Sequence, residues 1–175
     1  MTIDRKISFK KINIAILVIS DTRNRTNDRS GKLLSKLIIK SGHTVVDNKI
    51  VKDEKNEIRK KIKQWISDKN IQAIISTGGT GITSRDITPE VFQEFFEKEI
   101  TGFGETFRMI SFRKIGTSTI QSRAIAGVSK KTLLFALPGS PGACQYAWDK
   151  ILKWQLDSRF RPCNFIEIMP RLMEI

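Results

Sequence analysis

The stretch from Ile75 to Glu90, I-S-T-G-G-T-G-I-T-S-R-D-I-T-P-E, restricts the fold more than any other part of this 175-residue chain. Ala73, Ile74 and Ile75 read as the end of a buried strand. The run stops at Gly78, Gly79 and Gly81, which allow φ > 0 and let a ligand reach bare backbone. A helix is expected next: Thr88 is placed to cap it, Pro89 has the φ of a first helical position, and Glu90 complements the positive end of the dipole. Strand, glycine loop and helix start in one short span form a cradle for an anion, phosphate above all. The glycines alone fit a plain strand-to-helix turn equally well. The loop is neither G-x-x-x-x-G-K-[ST] nor G-x-G-x-x-G. Asp86 sharpens the site reading, because a carboxylate beside a phosphate cradle can hold Mg2+. As a lone loop aspartate it serves equally as an Asx-type turn cap.

A second unit of the same kind lies near the C-terminal end, where Thr132 to Leu137 reads as a strand and runs into L-P-G-S-P-G-A. Ser140 can cap the following helix and Pro141 can occupy its first turn, with Ala143, Ala147, Ile151 and Trp154 continuing a helix face. Two such turns at one sheet edge would bracket a cleft. Ile12 to Ile19 is a near-continuous β-branched run, the pattern of a strand covered on both faces, and it ends in Ser20, Asp21 and Thr22. Ligands of open α/β sheets sit beyond such edges. A hydrogen-bonded turn into a polar loop explains the same three residues.

Between these units the pattern alternates. Leu33, Leu34, Leu37 and Ile38 mark a helix ended by Gly42; Thr44 to about Val51 is a strand; Ile58, Ile62, Trp65 and Ile66 mark a second helix, with Trp65 as core and Asp53 as its N-cap. Asp53 also stands at a strand end, where its carboxylate can reach the cleft of Asp86. Val91, Phe92, Phe95 and Phe96 form a helical core stripe, and Phe103 to Ile115 (Phe103, Phe107, Met109, Ile110) forms another after Gly102 and Gly104 break the preceding helix. Gly116 to Val128 is irregular by propensity, and its Arg123 is a candidate phosphate contact as well as a candidate salt bridge. Strands alternating with helices predict an α/β fold: a three-layer α/β/α sandwich with a mostly parallel sheet, in a single domain. Residues 1–11 read as a charged lead-in, mobile at its start, residues 12–159 as the domain, and residues 160–175 as an extended apolar tail docked on its own body or a neighbouring subunit.

The formal charge of +13 asks for a partner class. Aromatic residues are not interleaved with the basic ones as a single-strand platform requires, which argues against nucleic acid; the spread-out lysines and frequent Ile fit codon bias in an AT-rich genome as well, and attraction of phosphorylated small molecules is the milder implication. Cys144 and Cys163 form no C-x-x-C, and the single His43 is remote in sequence, so metal-thiolate and redox sites are not expected and a reducing cytoplasm is. Ile14 to Ile19 follows basic residues in the manner of a signal peptide but is too short, and nothing approaches the ~20 apolar residues of a membrane span.

With these residues in place the chain resembles the MoaB/Mog proteins of molybdenum cofactor biosynthesis. The resemblance rests on S-D-T at Ser20 to Thr22, V-K-D-E at Val51 to Glu54, T-G-G-T-G-I-T-S-R-D-I-T-P-E at Thr77 to Glu90, G-T-S-T-I-Q-S-R-A at Gly116 to Ala124 and L-P-G-S-P-G-A at Leu137 to Ala143. The Q-S-R-A segment and R-P-C-N-F at Arg161 to Phe165 are similar to the MoaB branch in particular. The resemblance implies an adenylyltransferase that joins the terminal phosphate of molybdopterin to AMP from Mg-ATP, with Asp53 and Asp86 as the functional, Mg2+-handling pair. It implies a cleft lined by Thr77, Gly78, Gly79, Thr80, Gly81, Pro138, Gly139, Ser140 and Pro141, with Ser20 and Asp21 at its rim; Arg85, Thr88 and Arg123 are further candidate binding residues. It also implies a homotrimer or homohexamer and a molybdate-insertion enzyme as a pathway partner. Ser140 departs from the Asn or Gln of many Mog relatives, and Ala124 from the Ser of some. A non-catalytic pterin-binding or scaffolding protein of the same pathway is the alternative.

Overall fold

Residues 2–172 are described by the structure, a computed structural model. Its centre is set by runs of aliphatic residues too continuous to leave either face in water. These form β2 (Asn13–Ile19), β4 (Ala73–Thr77) and β7 (Thr132–Leu137), after a two-residue β1 (Thr2–Ile3) and with β3 (Thr44–Val51) between β2 and β4. A short β5 (Lys98–Glu99) and β6 (Ile125–Ser129) complete a six-stranded sheet of order β3-β2-β4-β7-β6-β5. The β3-β2-β4-β7 ladder is parallel, and β6 is antiparallel to both of its neighbours.

Period-two alternation divides β2 between two cores. Ile14, Ile16 and Val18 pack with Leu34 and Ile38 of α1 (Ser30–Lys40), and Phe103 and Phe107 join this side from a later helix. Ala15, Leu17 and Ile19 face Ile58, Ile62 and Trp65 of α2 (Lys55–Ser67), with Val91 and Phe92 of α3 (Thr88–Gln93). Helix α4 (Thr101–Ile115) passes into a 3-10 segment, Gly116–Gln121, and α5 (Pro141–Ala147) continues through a π turn, Trp148–Leu152, into α6 (Lys153–Gln155). Helices on both faces make the expected three-layer sandwich. A buried Ile, Leu or Phe side chain contributes about 1.5–3 kcal/mol, so these two cores hold the sheet rigid beneath its loops.

Several local expectations are corrected. Gly102 and Gly104 lie within the first turn of α4 instead of breaking a helix. Helix α3 stops at Gln93, short of Phe95 and Phe96, and Met109 is 60% exposed. The stretch 116–128, irregular by propensity, contains the 3-10 segment and β6. From Thr2 onward the lead-in is tied down, because β1 pairs antiparallel with β8 (Phe160–Arg161) and Asp4 N–H donates to Arg159 C=O, while Met1 lies outside the described residues. The tail is not extended: it forms α7 (Phe165–Ile168) and a 3-10 turn, Met169–Arg171, with Ile166 buried and Phe165 packed on Phe135. The part of that tail at residues 173–175 lies outside the described residues.

Candidate functional site

The chain runs from β2 outward to β3 and then returns to β4 on the other side of β2, so the strand order reverses between β2 and β4. Clefts beyond the carboxyl ends of strands at such a point are where open α/β sheets hold ligands. Here that edge gathers Ser20 and Asp21 after β2, Asp53 after β3, the glycine loop after β4 and the Pro138–Ser140 turn after β7. The two glycine turns are joined: Gly78 N–H donates to Leu137 C=O at 3.0 Å and the Thr77 hydroxyl donates to Pro138 C=O at 2.9 Å. Ser30 adds a bond from its hydroxyl to Gly139 C=O, fixing the start of α1 to the second turn.

Two clefts open at this edge. One, of about 560 Å3, is lined by Gly78 to Gly81, Asp86, Pro138, Gly139 and Ser140. Its far wall is Phe107, Ser111 and Lys114 of α4 with Ser118, Thr119, Gln121 and Ser122 of the 3-10 segment, and Tyr146 of α5 closes one side. The other, of about 620 Å3, lies between the end of β3 and the loop after β2, with Ser20, Asp21, Arg23, Arg25 and Lys32 on it. The α4 and 3-10 wall was missed by sequence reasoning; its signal was the polar run G-T-S-T-I-Q-S, whose Ser122 hydroxyl is buried without a hydrogen-bond partner.

Asp53 is buried beneath the glycine loop. The N-cap of α2 is Glu54, without a side-chain cap bond, so Asp53 is not the cap it resembles in sequence. Its Oδ1 has no hydrogen-bond partner among the described residues. Burial pushes its carboxyl up to about 6, and the charges of Asp21 and Asp86 push in the same direction. The three carboxylates therefore share one neighbourhood. Asp86 is half-buried; burial raises its pKa, but bonds from the Thr83 hydroxyl (2.6 Å) and backbone N–H (3.0 Å) outweigh it and hold the group below its ordinary value. Those two bonds are the turn role expected of a loop aspartate, while the residue still faces the cleft.

The other candidates have more occupied side chains than expected. Thr88 begins α3 after an Ile87 cap, and its hydroxyl donates to Gly78 C=O at 2.9 Å, bracing the loop from below. Arg85 bridges Asp21 (2.8 Å) and Glu54 (3.0 Å), and its hydrogen bond holds Asp21 below the usual carboxylate range. Arg123 is directed at Gly81 C=O (2.6 Å), Asp86 C=O and the Glu90 carboxylate instead of at open space. Ser20 accepts from the backbone of Thr22 and Arg23, which is its turn role. Ser140 caps α5 as expected, accepting from Ala143 N–H at 3.2 Å, and Pro141 follows in the first turn.

A metal at this edge would meet Asp53 and Asp86. No group of three or more His, Cys, Asp or Glu side chains arranged for a metal occurs among the described residues. Mg2+ does not need one, since it keeps several waters and takes one or two carboxylates with substrate phosphates. The orphaned Asp53 Oδ1 and the adjacent Asp86 fit that hard, oxygen-seeking ion.

The family described as a probable molybdopterin binding domain matches residues 15–158. Molybdenum cofactor biosynthesis protein B of Escherichia coli (strain K12) is 50% identical over 157 residues, spanning 90% of this chain and 92% of that protein. The chain belongs to the MoaB/Mog family of molybdenum cofactor biosynthesis proteins. A crystal structure of molybdenum cofactor biosynthesis protein B superposes with a TM-score of 0.85 at 37% identity, covering 95% of this chain and 98% of the other. The tungsten cofactor synthesizing protein MoaB from Pyrococcus furiosus gives 0.78 at 30% identity, covering 94% and 99%. The MoaB/Mog match spans β2 to Ser158, which includes both glycine turns and all three carboxylates. No helix among the described residues is long and apolar enough to cross a membrane.

Proposed function

We propose that the chain transfers AMP from Mg-ATP to the terminal phosphate of molybdopterin, releasing pyrophosphate. The observation that carries this reading is the pair Asp53 and Asp86, brought together under a glycine loop with one carboxylate oxygen buried and unpartnered. A phosphate oxygen of molybdopterin attacks the α-phosphorus of ATP, the bond to the β-phosphate oxygen breaks, and the leaving pyrophosphate takes the electron pair. Both reactants are polyanions, so neutralisation and in-line placement supply most of the catalysis and no side-chain nucleophile is required. Mg2+ bound at Asp53 and Asp86 would neutralise phosphate charge. Backbone N–H groups of the glycine loop and of the Ser140–Gly142 helix start orient phosphate oxygens, and Thr83 keeps Asp86 ionised and aimed. Asp86 lines one cleft and Asp21 the other, with Asp53 beneath the glycine loop, so each reactant has a place.

The same reading puts the protein in the cytoplasm, where its two free thiols suit reducing conditions, and hands its product to an enzyme that inserts molybdate. It also includes a homotrimer or homohexamer. Met109, Phe112 and Ile115 recur at three-residue spacing on α4 and are 60%, 56% and 52% exposed, an apolar strip suited to a second copy. Incubating the protein with molybdopterin and Mg-ATP tests the chemistry: adenylylated molybdopterin should form, and Asp86→Asn should suppress it. Binding of molybdopterin without product from the wild type would identify a non-catalytic pterin-binding protein instead.

A further inference from the structure

We infer that Arg123 is a positioning residue that ties together the two walls of the cleft lined by the glycine loop and holds Asp86 in place; this rests on the reading of Asp86 as a carboxylate that handles the phosphates. One wall is the loop from Gly78 to Asp86, and the other is the segment from Ser118 to Ser122 that leads directly into Arg123. The backbone N–H of Arg123 donates to Thr80 C=O at 3.2 Å. Its guanidinium donates through Nε to Gly81 C=O at 2.6 Å, through Nη2 to Asp86 C=O and through Nη1 to the Glu90 carboxylate of α3. A single residue thus reaches both ends of the carboxylate-bearing loop and the helix beyond it.

Beyond Gly79, where the bonds from Thr88 and to Leu137 end, the loop has little else to hold it. Ile82 is 69% exposed, the Thr83–Asp86 bonds are internal to the loop, and the Arg85 ion pairs lie in solvent, where such pairs contribute little. Arg123 also covers two carbonyl oxygens beside the anion site, whose partial negative charge would otherwise face the phosphates. Three of the five guanidinium N–H donors are taken by the protein, so the group serves the loop before any ligand. Lysine offers a point charge with no planar fork and cannot serve the same three acceptors together.

The test is made on Arg123→Lys and Arg123→Gly, assayed where circular dichroism shows each fully folded; Arg123→Lys serves alone should the glycine variant not fold. In the free protein, amide exchange across residues 81–87 should speed up at least tenfold while β4 and β7 stay unchanged. In the transfer assay kcat should fall on the order of 100-fold with KM changed only a few-fold, and ethylguanidinium should restore part of the activity of Arg123→Gly. Unchanged exchange in the loop would overturn the proposal. So would a raised KM with intact kcat, which marks a direct phosphate contact, or activity that merely follows the folded fraction. The exchange experiment needs no substrate, so a wild type that makes no product removes the reaction without touching the role of Arg123.

Discussion

Asp53 closes the underside of the glycine loop at Gly79: a β-carbon there would stand 2.9 Å from Asp53 Oδ2 and 3.0 Å from Oδ1. It would also stand 2.3 Å from the Thr88 hydroxyl, at a backbone φ of +62°. Gly79→Ala should therefore push the loop away from its carboxylate and break the brace from Thr88 to Gly78. The expected cost is roughly 1–3 kcal/mol of stability, with nucleotide affinity reduced more than the melting temperature suggests. Denaturant titration beside ligand titration checks both.

The raised pKa of Asp53 gives stability a definite pH dependence. An unfolded aspartate titrates near 3.9 and this one near 6, so between those values the folded protein holds the extra proton. Stability attributable to this group is complete below about pH 4 and is lost as pH rises through about 6. Asp53→Asn should be more stable than the wild type at pH 7–8, by up to about 3 kcal/mol, with the advantage vanishing near pH 4. Added Mg2+ should narrow the gap at neutral pH by binding the wild type alone. Equal urea midpoints at pH 7.5 would contradict the buried, uncompensated charge.

How much of this was open to inspection in the residues depended on burial. Strands β2, β4 and β7 were legible because both faces are covered and each carries a continuous apolar run, with polar residues only at the ends. Strand β6, I-A-G-V-S, was not, since it owes its conformation to antiparallel pairing with β7. Gly104 misled for a related reason: a β-carbon there would lie 2.5 Å from Ala124 C=O, so the glycine admits a close crossing of α4 over the sheet and does not end a helix. The glycine turns and carboxylates announced themselves by local chemistry. The engagement of Arg85 and Arg123 did not, because their partners are brought near only by the fold.

Asp86→Asn should leave the fold intact, because the amide oxygen still accepts from Thr83, and should lower kcat of adenylyl transfer by about 100-fold or more. Thr83→Ala removes one of the bonds that depress the Asp86 pKa and should cost less, on the order of tenfold. The activity it retains should fall off at a higher pH than in the wild type as conditions become acidic, because the carboxylate protonates sooner. A Mg2+ titration of both variants separates lost metal affinity from lost positioning.

The apolar strip on α4 predicts assembly. Phe112→Glu combined with Met109→Glu places charge on a surface already in solvent within one chain, so the monomer should remain folded. Light scattering should show the wild type at three or six times the chain mass and the variant at one. A wild type that runs as a monomer at micromolar concentration would leave that strip without a role in self-association.

Beneath the two joined turns lies Cys144, fully buried, 3.1 Å from the Thr77 hydroxyl and 3.5 Å from Pro138 C=O, with burial pushing its thiol up to about 11. Cys163 is exposed. An alkylating reagent will therefore modify Cys163 at once and Cys144 only when the floor under both turns parts. The delay between the first and second adduct in a mass spectrum is a native clock for breathing at this edge, and occupancy by a nucleotide should slow it.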